Sequence, residues 1–248
     1  MTLSIKNLSG GYFGRPVLKN VNFELADGEL AAFVGLNGAG KTTTIKEIMG
    51  LLTPFSGEIR VNGVTLKENA DAYRKAIGYI PESPSLYDEL TLEEHIDLTA
   101  LSYDIPSDIA RARAQKLLQT FRLDDKLDWF PSTFSKGMKQ KVMIICAFLT
   151  QPSLYIIDEP FMGLDPLAIH DLIDLMQEMR AEGASILMST HILATAEQFA
   201  DKFIVLKDGG VVADGNLAAL QAQFGAGKSL DDIYMELARP TTGSTARS

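Results

Sequence analysis

The run Gly35-Leu36-Asn37-Gly38-Ala39-Gly40-Lys41-Thr42 constrains this chain more than any other feature. It fits the pattern G-x-x-x-x-G-K-[ST], and its flanks are the ones that pattern needs. Residues 30–34 before it are continuously apolar, as in a strand covered on both faces, and 41–51 after it read as a helix. Strand, glycine-rich turn and helix in that order wrap backbone N–H groups around an anion, because glycine turns inward without a Cβ clash. The helix N-terminus adds positive potential. Gly35, Asn37, Gly38, Ala39 and Gly40 are therefore expected to cradle nucleotide phosphates, with Lys41, Thr42 and Thr43 opening the helix. Lys41 would place a point charge on the β- and γ-phosphates, and Thr42 would offer a hydroxyl to Mg²⁺.

A second apolar strand, 154–157, runs into Asp158-Glu159. Two acids at a strand end can be a solvated edge and nothing more. Beside a phosphate cradle they read as chemistry: Asp158 holding Mg²⁺ through water, Glu159 orienting or deprotonating the attacking water.

Around these motifs strands and helices alternate. Residues 4–6, 17–25 and 30–34 read as strands with turns at Ser9-Gly10-Gly11 and Asp27-Gly28, and 58–61 as another before Asn62-Gly63. From 90 to 150 the pattern becomes helical. Thr91 and Glu94 have capping-box spacing, and 107–121 and 135–149 follow as helices. Strands at 154–157, 185–189 and 203–206 then alternate with helices at 167–182 and from 193. A last helix over 230–237 follows Ser229 and Asp232, again at capping-box spacing. The tail 240–248, rich in Thr, Ser, Gly and Arg, is expected to be disordered. The expectation is one α/β domain over 1–239. Its core would span about 1–89 and 151–215, with a helical subdomain over about 90–150 and a helical extension over 216–239.

Many nucleotide-binding proteins share the first two motifs; Phe134-Ser135-Lys136-Gly137-Met138-Lys139-Gln140 separates them. Ser135 would cap a helix, leaving its hydroxyl and the Gly137 N–H to meet an anion. The segment resembles the LSGGQ signature of ABC ATPases, with Lys136 replacing the first Gly and Met138 the final Gln. The resemblance spans roughly residues 1–215 in the family's order. It implies a P-loop NTPase (RecA-like) core with an N-terminal antiparallel β subdomain and an inserted α-helical subdomain.

It further implies that Ser135 and Gly137 contact the γ-phosphate of ATP held by the opposite subunit. Tyr12, 29 positions before Lys41, would stack on adenine, with Phe13 as competitor. Gly163-Leu164-Asp165 resembles the D-loop at the dimer interface. Gly78-Tyr79-Ile80-Pro81-Glu82 resembles the Q-loop, with Glu82 where Gln is usual, so its approach to Mg²⁺ carries extra negative charge. Ser189-Thr190-His191, after an apolar strand, resembles the switch histidine segment, and His191 would hydrogen-bond the γ-phosphate. Residues 81–91 and 134–140 are similar to bacterial exporter-type subunits, the Ecs type in particular.

The resemblance implies an ATPase using ATP and Mg²⁺, closing as a homodimer or heterodimer. It implies an integral membrane permease as partner and a cytoplasmic, peripheral place on the inner face of the membrane. A non-transport ABC ATPase of translation or DNA repair would use the same site. Those usually carry two cassettes or a long coiled coil, and neither is evident here; a guanine-reading N-K-x-D is also absent.

Composition narrows the partners. Asp and Glu number 32 against 23 Lys and Arg, a net −9 that repels nucleic-acid phosphates, so no nucleic acid is expected. No stretch approaches the ~20 apolar residues of a spanning helix, and residues 1–9 lack a signal-peptide pattern. A membrane role is expected to run through the permease. Cys146, the one cysteine, lies in the apolar run 142–149 and reads as a buried hydrophobe in a reducing compartment. His95 and His170 read as ordinary helix residues. Gly225-Ala226-Gly227-Lys228-Ser229 imitates a second phosphate loop, but Ala222 stands at the first glycine position and no buried strand precedes it.

Overall fold

In the computed structural model, which describes residues 1–238, β1 (Leu3–Tyr12) turns back through Phe13-Gly14 into β2 (Arg15–Leu25). Both turn residues have positive φ, 52° and 75°, as tight two-residue hairpins favour. β3 (Leu30–Gly35) enters a second sheet and α1 (Lys41–Ile48) follows the glycine loop. β4 (Ser56–Val61) then pairs antiparallel with β1, completing a three-stranded sheet ordered β2-β1-β4.

α2 (Ala70–Lys75) and β5 (Ile77–Ile80) precede α3 (Leu92–Ser102), α4 (Ser107–Phe121) and α5 (Lys136–Leu149). The chain returns to the second sheet with β6 (Leu154–Asp158), α6 (Pro166–Ala181), β7 (Ser185–Ser189), α7 (Leu193–Phe199) and β8 (Lys202–Lys207). β9 (Gly210–Gly215), α8 (Leu217–Phe224) and α9 (Leu230–Ala238) follow. The order is β5-β6-β7-β3-β8-β9, parallel except for the β8–β9 hairpin. The fold is that of a P-loop NTPase, an α/β core joined to an antiparallel β unit and an inserted helical block.

Alternation along β3 sends its side chains to opposite faces. Ala31 and Phe33 join Ile45 and Ile48 of α1 and the three-stranded sheet, whereas Ala32 and Val34 join Leu193 and Ala196 of α7 and Leu230 and Ile233 of α9. Helices α3 to α6 share a third cluster with Tyr155, Ile157 and Met188 of the sheet, so the inserted helices are built onto the core. Full burial of side chains such as Phe33 and Phe121 contributes about 1.5–3 kcal/mol each.

Several local expectations need correction. Ser9-Gly10-Gly11 is strand, not turn. A Cβ at Gly10 would lie 1.7 Å from Glu47 Oε1, and one at Gly11 2.1 Å from the Arg15 carbonyl, so these glycines serve close approach. α1 stops at Ile48 rather than 51, because Gly50 takes φ 68° and the Leu51 and Leu52 N–H groups both return to the Lys46 carbonyl. Ser135 lies outside α5 as its cap, and β9, a strand not among those read from the sequence, pairs with β8. The Thr91–Glu94 capping box is present. The tail expected at 240–248 lies outside the described residues.

Candidate active site

The carboxyl ends of β3, β5, β6 and β7 open onto a cleft of about 650 Å³. Its walls are Leu36, Asn37, Lys41 and Thr42 from the loop and α1, Glu82 after β5, Asp158, Glu159 and Met162 after β6, His191 after β7, and Tyr234 from α9. Parallel strands bring these distant residues to one edge, the usual ligand position in open α/β sheets. Among the described residues, no helix is long and apolar enough to cross a membrane.

The loop is shaped for an anion. Gly38 and Gly40 take φ of 82° and 113°, and a Cβ at Gly40 would lie 2.5 Å from Leu18 Cδ2. Gly40 is the N-cap of α1 and supplies no side-chain cap, so the first-turn amides of Lys41, Thr42 and Thr43 face no side-chain acceptor from it. Thr42 is exposed, Thr43 is buried, and Ala39 is buried beneath the loop. Lys41 Nζ donates to the Gly35 carbonyl at 2.6 Å, folding the lysine across its own loop.

The two acids are held by Ser189. Its Oγ donates to Asp158 Oδ1 at 2.5 Å and accepts the Glu159 N–H at 3.1 Å; the Ser189 carbonyl accepts that same N–H at 3.2 Å. Burial raises the Asp158 pKa from its ordinary value, with the Ser189 hydrogen bond opposing the shift. Glu159 sits at φ 48°, a left-handed conformation costing about 1–2 kcal/mol for a residue with a Cβ. Its Oε2 accepts from His191 twice, from the backbone N–H at 3.2 Å and from Nδ1 at 2.7 Å. A carboxylate partner requires hydrogen on Nδ1, so a neutral ring presents Nε2 as an acceptor, and only the imidazolium donates from both nitrogens.

Ser135, Gly137 and Tyr12 lie outside this cleft. Ser135 is exposed and its Oγ accepts the Met138 N–H at 3.2 Å, which leaves the hydroxyl hydrogen free. A Cβ at Gly137 would lie 2.4 Å from the Gly163 carbonyl oxygen, so the signature and D-loop segments meet at a glycine-only contact. Tyr12 is half-buried with Lys46 Nζ 5.7 Å from its ring centroid, and Phe13 stands wholly in solvent at the hairpin tip.

The other histidines and the cysteine have structural surroundings. His95 is buried, with Nδ1 donating to the Thr91 carbonyl at 2.7 Å and Nε2 accepting the Tyr87 N–H at 3.0 Å. His170 pairs with Asp174 on the α6 surface. Cys146 is partly buried against the helical cluster, and burial pushes its thiol up to about 11. The second glycine-lysine run is the loop between α8 and α9, where Lys228 pairs with Glu236.

Met162 and Tyr234 belong to the site without having been named, whereas Leu36 and Ser189 were named only as members of motifs, with no role of their own. Nothing in the local pattern marked Tyr234.

Residues 18–162 match the family described as ABC transporter. Over 242 residues the chain is 54% identical to the ABC-type transporter ATP-binding protein EcsA of Bacillus subtilis, covering 97% of this chain and 98% of that one. It superposes with a TM-score of 0.94 on a solved ATP-binding subunit of an ABC transporter, 54% identical, covering 96% of this chain and 100% of that one. A dimeric post-hydrolysis structure of the ATP-binding cassette MJ0796, bound to ADP and Pi, superposes at 0.78 with 26% identity over 87% of this chain and 98% of that one. With the phosphate loop, Asp158-Glu159 and His191 on one cleft in the same fold, the chain belongs to the ABC transporter family as an ATP-binding subunit and ATPase.

Proposed function

We propose that this subunit closes head-to-tail on a second ABC subunit over ATP and drives export through a separate membrane permease, on whose cytoplasmic face it sits. The observation that carries the reading is the convergence of Lys41, Thr42, Asp158, Glu159 and His191 on one cleft, with Ser135 and Gly137 outside it. A site lacking its signature contacts in one chain is completed by another, as the dimeric relative supports. The likeness of residues 81–91 and 134–140 to exporter-type subunits supports the direction.

The donor set suits a hard cation: the Thr42 hydroxyl, the Asp158 carboxylate and Glu82 are all oxygen ligands. Among the described residues, no three His, Cys, Asp or Glu side chains form a ready-made cage, so Mg²⁺ would share its ligands with the phosphates. When bound there it neutralises charge on the β- and γ-oxygens.

Glu159 takes a proton from a water in line with the γ-phosphorus. The water oxygen bonds to phosphorus as the bond to the β-phosphate oxygen breaks, leaving ADP and inorganic phosphate. Lys41 offsets the charge on the β- and γ-phosphates, and His191 turns from Glu159 to the γ-phosphate. Tyr12 stacks on the adenine. Loss of the γ-phosphate removes what the partner's signature segment holds, and the halves part. Residues 82–90 pass the motion to the permease; the Tyr87 bond to His95 ties them to α3, and the Gln140 bond to the carbonyl of Pro81, just before them, ties their start to α5.

The test is to purify tagged Glu159→Gln from its native membranes in mild detergent. A multi-span membrane protein in fixed stoichiometry is expected, with ATP turnover reduced by about 10²–10³. Recovery of soluble proteins alone would sink the permease reading. Wild-type turnover would sink the base assignment.

A further inference from the structure

We propose that Tyr234 is a positioning residue for hydrolysis, its ring closing the cleft wall beside His191 and Glu159. This rests on the roles assigned above to those two residues. α9 lies beyond all the nucleotide motifs, yet it is anchored to two elements that carry them. Leu230 and Ile233 are fully buried with Val34 of β3, the strand feeding the phosphate loop, and with Leu193 of α7, the helix following His191. The Leu230 N–H donates to Glu197 Oε2 of α7 at 2.9 Å. Ser229 and Asp232 cap the helix reciprocally, at 3.0 and 3.1 Å.

With Ile233 locked into the core, the next residue is rotated about 100° around the helix. That residue is Tyr234, and it lines the cleft together with Met162, Glu159 and His191. Its ring is half-buried. Burial, with the Glu159 charge as a smaller contribution, pushes its phenol pKa up, so the hydroxyl stays protonated. The His191 side chain is 60% exposed and that of Glu159 14%, so the imidazole end of the pair is open to the cleft that Tyr234 also lines, and the proposed role of the ring is to limit how far that imidazole swings. Lys41 and Thr42, which meet the phosphates, come from the loop and α1, so removing the ring acts on turnover rather than on ATP affinity.

The experiment is steady-state ATPase of the full chain carrying Tyr234→Ala or Tyr234→Phe. kcat is counted per nucleotide site titrated with a fluorescent ATP analogue, so that unfolded protein does not mimic a catalytic loss. Tyr234→Ala is expected to lower kcat about tenfold with KM within about twofold, and Tyr234→Phe to keep kcat within about twofold. If the Ala variant fails to fold, Tyr234→Leu is read by the same criteria. Wild-type kcat without the ring, a loss confined to KM, or a Phe variant as damaged as the truncated one would overturn the proposal. Glu159→Gln runs in parallel. Wild-type turnover there removes the premise, whereas an inactive Glu159→Gln beside a fully active Tyr234→Ala removes this inference alone.

Discussion

The Ser189 hydroxyl serves both acids at once, donating to Asp158 and receiving the Glu159 N–H. Its donation favours the charged form of a buried carboxylate, so Ser189→Ala should raise the Asp158 pKa further and weaken Mg²⁺ binding. About a tenfold loss of ATPase is expected, partly recovered at higher Mg²⁺; an unshifted Mg²⁺ dependence would refute the argument. Glu47 is a different case, a buried carboxyl on α1 with neither oxygen hydrogen-bonded among the described residues and a pKa pushed up to about 7 by burial. The native state holds this proton more tightly than the unfolded chain, whose value is near 4.5. Stability therefore falls as pH rises through that window and stays lower above it, by up to about 3 kcal/mol. Glu47→Gln should exceed the wild-type Tm by a wider margin at pH 8 than at pH 5; the same margin at both would show that the proton is not held this way. Lys41, Thr42, Asp158 and Glu159 were legible because their chemistry lies in contiguous motifs. Ser189 was not, since its role depends on the register that pairs it with Asp158.

Between elements, the start of α5 meets the loop that opens α6 along a seam of specific polar and backbone contacts. Lys141 of α5 pairs with Asp165 at 3.0 Å, and Asp165 caps α6 through the Ala168 N–H at 2.9 Å. At the N-terminal end of the same seam, Gly137 faces the Gly163 carbonyl. Gly137→Ala puts a methyl 2.4 Å from that oxygen, a backbone atom that moves only with its loop. The first turn of α5 must then shift away from the D-loop segment. ATPase is expected to fall about tenfold or more, whereas equilibrium ATP binding by the isolated subunit stays unchanged, because Gly137 lines no part of the cleft. Parallel loss of binding would mean that the substitution damages the fold instead. Helix positions and caps were readable here because capping chemistry spans three residues, as Ser135 and Thr91 illustrate. Strand extents were less so. β1 passes through two glycines and several bulges, which interrupt the two-residue period by which a strand is recognised.

For the molecule as a whole, the proposed head-to-tail pairing requires that one chain hold two different half-sites. The cleft carries Lys41, Asp158 and Glu159, while Ser135 and Gly137 lie elsewhere on the surface of the helical block. The fold class followed from the strand–loop–helix order together with the family resemblance carried by residues 134–140, but the separation of the cleft from the signature segment depends on how the inserted helices pack on the sheet. Head-to-tail pairing of two copies makes a quantitative demand on mixtures. Lys41→Ala removes the cleft half and Ser135→Ala the signature half, and each homodimer then has two defective sites. In a mixed dimer both defects fall in the same composite site, and the other site is assembled from an intact cleft and an intact signature. Equal mixing makes half of the dimers mixed, so with independent sites about a quarter of wild-type ATPase should return. The return should grow as the variants are given time to exchange partners. A site built within one chain, with the second copy present only as ballast, predicts that the mixture stays at the average of the two inactive proteins at every ratio.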